Sequence, residues 1–301
     1  MRQSLVFRKA LRDSINEEVA ERTKLHQAKV AVLKTAQAAR PHILVAGAAE
    51  ANPLVMLAHG DSWFDYPLNG NDPSLSNTDV IAQLEQLGDT KSLILNVSHY
   101  GDATSEELAW PKQQRMIDAL KDPANWPTGK PDAILFSGGG NDIAGDQFCI
   151  FLDYAAAPGA RGLNGVRFQG VLDVVQASYM DLFLFRDRNA PGVPILGHCY
   201  DFAIPNGVHP VCAGPWLKPS LDFTGWDLAQ GTGIVHEALV NFRAMLLTLA
   251  ANPANNFILV DTQGLLDPSQ WANELHPFPA GFQLIAAKFA NSLRFQFPGR
   301  I

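Results

Sequence analysis

From Leu54 onward the chain alternates short apolar runs with longer stretches of helical character, and nothing else constrains the fold as tightly. The apolar runs fall at 54–58, 92–97, 132–137, 193–200 and 256–261. Runs this short, bounded by turn formers, read as buried strands. Helical patterns fall at 78–88, 104–121, 169–188, 232–251 and 279–293. Asn77 or Thr78 would cap the first of these and Gly88 would stop it; Pro111 would sit in the first turns of the second or kink it. Strand and helix in alternation predict an α/β fold: a parallel sheet with helices on both faces.

Residues 4–39 contain no Gly or Pro and carry apolar residues at helical spacing, among them Leu11, Ile15, Val19, Val30 and Leu33. They read as a helical extension over 1–50, ahead of a main domain over 51–301. A helix on the outside of the sheet is the plainest reading, and a homo-oligomer contact is a second use for it. Two stretches, 143–168 and 202–231, break the rhythm with aromatics, Gly and Pro. Insertions at the ligand-binding edge of a sheet are lids or pocket walls more often than free loops.

Composition narrows the partners. An apolar content of 47% supports a sizeable core, and a net charge of −7 argues against nucleic acid, which needs a basic footprint. Cys149, Cys199 and Cys212 form no disulfide framework. His236-Glu237 begins like a zinc-binding helix, but Val240 stands where the second histidine belongs, so the pair reads as helix surface; the serine chemistry set out below requires neither a metal nor an organic cofactor. No cleavable leader and no run long enough to cross a membrane is read in the sequence, which sets the expectation of a cytoplasmic protein.

Four segments carry chemistry. Gly60-Asp61-Ser62 follows the first strand, Ser98-His99-Tyr100-Gly101 the second, and Gly138-Gly139-Gly140-Asn141-Asp142 the third. Asn273-Glu274-Leu275-His276-Pro277 precedes the last helix. A parallel sheet brings all four to one edge. Acyl transfer needs a nucleophile, a base, a group that orients the base, and donors for the oxyanion. Ser62 fits the first role and His276 the second. The backbone N–H groups of Ser62 and Gly101 and the amide of Asn141 fit the last. Asp61, Trp63, His99 and Asp201 lie at the same strand ends as candidate substrate contacts. Trp63, Phe64, Phe148, Phe151 and Trp216 would supply an apolar acyl pocket, though aromatics at strand ends are more often plain core.

These residues, in this order, resemble the SGNH hydrolases, also called the GDSL esterase/lipase family. The signature Ser, Gly, Asn and His correspond to Ser62, Gly101, Asn141 and His276. The resemblance spans roughly 54–292 through short motifs, not continuous similarity. It implies a three-layer α/β/α sandwich around a five-stranded parallel sheet of flavodoxin-like order, 2-1-3-4-5. It implies a serine hydrolase acting on a carboxylic ester of a small molecule, a lipid or a carbohydrate. Sugar O-deacetylation uses the same machinery, and a catalytically impaired module that binds an acylated ligand is the rival outside enzymology. One position departs from the pattern. Where the family places an aspartate three residues before the histidine, this chain has Asn273. Glu274, Asn273 or a backbone carbonyl must then orient His276, and charge favours Glu274 because a carboxylate supports an imidazolium better than an amide does.

Overall fold

The computed structural model describes residues 2–39, 52–67, 79–101, 103–110, 112–208 and 214–301. Five strands form the sheet: β1 (Val55–Gly60), β2 (Leu93–Asn96), β3 (Ile134–Ser137), β4 (Ile195–His198) and β5 (Phe257–Val260). Every pairing is parallel, and the order is β2-β1-β3-β4-β5, the order the resemblance implies. The central strands β1, β3 and β4 are buried at every position, which is why they read as unbroken apolar runs without alternation.

Nine α-helices surround the sheet among the described residues: α1 (Arg2–Ala38), α2 (Val80–Leu84), α3 (Thr104–Glu107), α4 (Lys112–Lys121), α5 (Gly140–Ile143), α6 (Gly165–Asn189), α7 (Lys218–Thr224), α8 (Leu228–Ala250) and α9 (Pro279–Gln296). Both faces of the sheet are covered. Phe136 and Phe257 meet Tyr179 of α6 on one side, and His198 meets Phe289 of α9 on the other. The chain is thus a three-layer α/β/α sandwich.

Three expectations shift. The helix expected over 104–121 is two, α3 and α4, with a proline between them in the sequence. Asp79 caps α2, its Oδ1 accepting the Ala82 N–H at 2.6 Å; Asn77 and Thr78 lie outside the described residues. By length and composition α8 could cross a membrane, contrary to the expectation of no such run. Its apolar stripe is spent inside the fold, where Ile234, Val235, Ala238, Leu239, Phe242, Leu246 and Leu249 are buried.

Helix α1 docks on the β2 edge. Ile15, Val19 and Val30 join the core, and Arg22 reaches the Ser98 carbonyl at 3.3 Å and the Asp65 carboxylate at 2.8 Å. Along the same helix, the His26 ring Nε2 lies 3.0 Å from the Asn125 carbonyl.

Candidate active site

Open α/β sheets hold ligands beyond the carboxyl ends of their strands, where the strand order reverses. Here the reversal lies between β1 and β3, and Ser62 and Asn141 stand immediately beyond those two strands. The β1 end is tightly specified. A Cβ at Gly60 would meet the Ser137 carbonyl oxygen at 2.4 Å, so only glycine fits. The chain then turns, with the N–H groups of Phe64 and Asp65 both donating to the Asp61 carbonyl at 3.0 and 3.1 Å. Ser62 is presented at that turn.

The Ser62 hydroxyl lies 2.7 Å from His276 Nε2. Asn273 Oδ1 accepts the backbone N–H groups of Leu275 and His276 at 3.0 and 2.9 Å, which fixes the orientation of its amide. That same oxygen lies 3.1 Å from His276 Nδ1, so Nδ1 carries the ring proton and Nε2 presents its lone pair to Ser62. Burial pushes the His276 pKa down to about 3, so the ring is neutral across ordinary pH.

Glu274 is elsewhere, which corrects the charge-based preference for it. Its carboxylate is fully buried and accepts four backbone N–H groups: Gly207 at 3.0 Å, Trp216 at 2.5 Å, Leu217 at 2.8 Å and Lys218 at 3.0 Å. Those donors saturate both oxygens and clamp the 202–231 insertion to the histidine loop. Adjacent residues in a turn point different ways, and here the amide faces the imidazole while the carboxylate faces backbone.

Asn141 sits in the first turn of α5 and lines a cavity with Ser62, Trp63, Gly140 and His276. The preceding turn needs glycine: Gly139 has φ +109°, and a Cβ there would meet the Phe242 ring at 2.5 Å. The cavity volume is about 50 Å³. Ile143, Ala144 and Phe148 from the first insertion and Ala203 and Leu217 from the second help to wall it, with Val235, Ala238 and Leu239 of α8. Both insertions are therefore pocket walls. Of the five aromatics expected there, Trp63 and Phe148 line the cavity. Phe64 stacks on His198 and Phe151 packs on Phe168, both in the core, while Trp216 lies against His276.

The remaining candidates separate. Gly101 is exposed at φ +80° just past β2, and the cavity is walled without it. His99 is also off the cavity wall: its ring stacks on Tyr100, centroids 4.2 Å apart, and burial, then Lys112 and Arg115, push its pKa down to about 4. The cavity is thus lined without His99, which was a candidate substrate contact. Asp201 touches the cavity but accepts the N–H groups of Phe202, Gly264, Leu265 and Leu266 at 2.6–3.0 Å, so its carboxylate is occupied by backbone. Asp61 also borders the cavity. It accepts from the Trp63 N–H at 3.0 Å, Ser137 Oγ at 2.7 Å and the Tyr200 hydroxyl at 2.5 Å, and burial pushes its pKa up to about 6 despite those bonds.

Sequence reasoning missed the network behind Asp61. His198 Nδ1 accepts the Tyr200 N–H at 3.2 Å, so its Nε2–H donates to Ser137 Oγ at 2.8 Å, and Ser137 donates to Asp61. The Tyr200 hydroxyl also accepts the Gly140 N–H at 3.0 Å, which ties the serine turn to the turn that carries Asn141. Its members come from three strand ends, and no local pattern announces such a chain of contacts. Among the described residues no group of His, Cys, Asp and Glu is arranged to hold a metal ion.

No family model and no curated protein matches the chain. Among solved structures it is similar to a lipase from a goat rumen metagenome, at 16% identity over 79% of this chain and 97% of that one, with a TM-score of 0.53. An extracellular lipase from Streptomyces rimosus matches at 16% identity over 79% and 98% of the two chains, with a TM-score of 0.49. A phospholipase A1 from Streptomyces albidoflavus matches at 14% identity over 80% and 99%, with a TM-score of 0.46. At these identities the likeness is one of fold. The chain has the three-layer fold of the SGNH hydrolases.

Proposed function

We propose that the chain is an SGNH hydrolase that cleaves carboxylic esters bearing a short acyl group, with Ser62 as nucleophile and His276 as base. The observation that carries this is the 2.7 Å contact between Ser62 Oγ and a His276 whose ring proton is held on the far nitrogen. A nucleophile, a base and a group orienting the base at hydrogen-bond distances are the machinery of acyl transfer.

Ser62 Oγ attacks the ester carbonyl carbon as its proton passes to His276 Nε2. The oxyanion takes hydrogen bonds from the Asn141 amide and the Ser62 N–H, with the Gly101 N–H as the third donor this reading assigns. The imidazolium returns the proton to the departing alkoxide, leaving an acyl-serine. Water attacks that ester with His276 again as base, and the carboxylic acid leaves.

The small cavity, about 50 Å³, supports a short acyl group. That suits acetyl to butyryl and keeps sugar O-deacetylation as the second reading. Turnover of nitrophenyl esters should peak between acetate and butyrate and fall with longer chains. Ser62→Ala should abolish turnover and fluorophosphonate labelling while the fold persists. Residual activity above about a hundredth of wild type would remove Ser62 as nucleophile. A folded wild-type chain that neither labels nor turns over would favour the binding module.

A further inference from the structure

With Asn273 in the acid's place, the imidazolium formed during proton transfer has no carboxylate against its ring among the described residues. The ring nitrogens are met by Ser62 and Asn273, and the nearest carboxylate in sequence, Glu274, is held by four backbone N–H groups. The base nevertheless has two aromatic rings close to it. The Tyr66 ring centroid is 4.7 Å from that of His276, tilted by 56°, and the Trp216 centroid is 5.5 Å away, at 73°. Both lie within about 6 Å, the range over which the face of a ring attracts a cation.

We propose that Tyr66 and Trp216 stabilise the His276 imidazolium by cation–π attraction and so take over part of the missing carboxylate's work. This rests on the reading of His276 as the base. The physical point is differential. A neutral imidazole gains only apolar contact from the two rings, whereas the cation gains an electrostatic term as well. An interaction that appears only when the charge appears lowers the barrier without tightening the ground state.

The pair Asn273-Glu274 sets both rings in place. Asn273 Nδ2 donates to the Tyr66 hydroxyl at 3.3 Å, and Tyr66 is braced on Phe282, centroids 6.2 Å apart. Glu274 accepts the Trp216 N–H and thereby holds that residue at the histidine loop. One residue of the pair orients the imidazole and one ring, while the other tethers the second ring. Tyr66 is buried, which excludes the water that would otherwise weaken the attraction.

The test compares Tyr66→Phe, Tyr66→Leu, Trp216→Phe and Trp216→Leu, each in the native chain and in an Asn273→Asp background, with nitrophenyl acetate as substrate. Each Leu variant should lose about 3- to 30-fold in kcat with KM within about twofold, and Phe at either position should restore most of the loss. In the Asn273→Asp background the Leu penalty should shrink severalfold, because a carboxylate then supports the cation. Leu and Phe variants that behave alike, or a Leu penalty unchanged by Asn273→Asp, would overturn the proposal. Should Tyr66→Leu fail to fold, as judged by thermal melting, the Trp216 pair decides. His276→Ala separates this inference from its premise. An active His276→Ala removes the base itself, whereas an inactive one with silent Leu variants removes only the cation–π role.

Discussion

Asn273→Asp is the most informative single substitution in this chain. The change is nearly isosteric and puts a carboxylate where Oδ1 already lies 3.1 Å from His276 Nδ1. The new charge would not be stranded. The N–H groups of Leu275 and His276 already point at this position, and the Tyr66 hydroxyl, now accepting from Nδ2 at 3.3 Å, can rotate to donate. An ion pair of about 4 Å at an effective dielectric near 20 is worth about 4 kcal/mol. The amide already provides the hydrogen bond and the tautomer, and burying the carboxylate takes back part of the gain. A net differential of about 1–3 kcal/mol remains, or about 5- to 150-fold in kcat. The tautomer matters here: in the serine-protease triad, Asn in place of the acid costs about 10⁴-fold mainly because the ring is held in the wrong tautomer. In this chain the amide oxygen, pinned by two backbone donors, already selects the right one. Steady-state kinetics on nitrophenyl acetate at pH 8 reads the result. An Asn273→Asp variant that folds normally and is no faster would refute the placement of Asn273 as the orienting group.

Other expectations follow from the same geometry. Asn141→Ala should lower kcat roughly 10²–10³-fold with KM nearly unchanged, and a rise in KM alone would make Asn141 a ground-state contact. Glu274→Gln should lower stability by about 2–4 kcal/mol in urea unfolding, because one amide cannot accept what two carboxylate oxygens accept now, and should cost less than about 30-fold in kcat. A loss of several orders in rate with unchanged stability would return Glu274 to the acid's role. His198 is neutral when buried, with a pKa pushed down to about 3 by burial, so the folded chain declines a proton that the unfolded chain takes up below about pH 6.5. Its share of stability is complete above that pH and is lost on acidification toward the folded value, while Asp61, raised to about 6, acts in the opposite sense from about pH 6 down to about 4. Urea unfolding at pH 7 and pH 5 should show His198→Gln narrowing the wild-type difference by roughly 2 kcal/mol, and an unchanged difference would mean that His198 is protonated in the fold.

What the sequence disclosed, and what it withheld, divides by range. The five strands were legible because a strand buried on both faces must be apolar throughout, and the surrounding turn formers mark its ends. The fourth run was read too long: Cys199 and Tyr200 are buried like strand residues, but Tyr200 turns to φ +57° and leaves the ladder. That Ser62, Asn141 and His276 would come together was legible because each stands just beyond a strand or just before a helix, and topology does the rest. The orienting group was not. Charge argued for Glu274, but charge says nothing about direction. The local signal was there in Asn273, a residue type whose side chain accepts N–H groups two and three positions on and so folds back toward the histidine. The destination of Glu274 was out of reach, because its four donors lie 56 to 67 positions away. Tyr200 meets Asp61 across 139 positions and was out of reach for the same reason.

An amide beside the base also changes where the site works. On the proposed mechanism activity needs neutral His276, whose pKa burial holds down to about 3, so the wild-type rate should stay level well into acid. A carboxylate at position 273 raises that pKa, since it stabilises the charged ring, and the active fraction is then lost at a higher pH. Below the variant's pKa its rate falls about tenfold per pH unit while the wild-type rate holds. If Asn273→Asp gains about 30-fold at pH 8 and its base titrates near an ordinary histidine value of about 6.5, the two profiles cross about 1.5 units lower, near pH 5. The variant should lead above the crossing and the wild type below it. Parallel profiles would show that residue 273 does not act on the proton affinity of His276. A crossing would show that the asparagine trades rate at neutral pH for a base that stays unprotonated in acid.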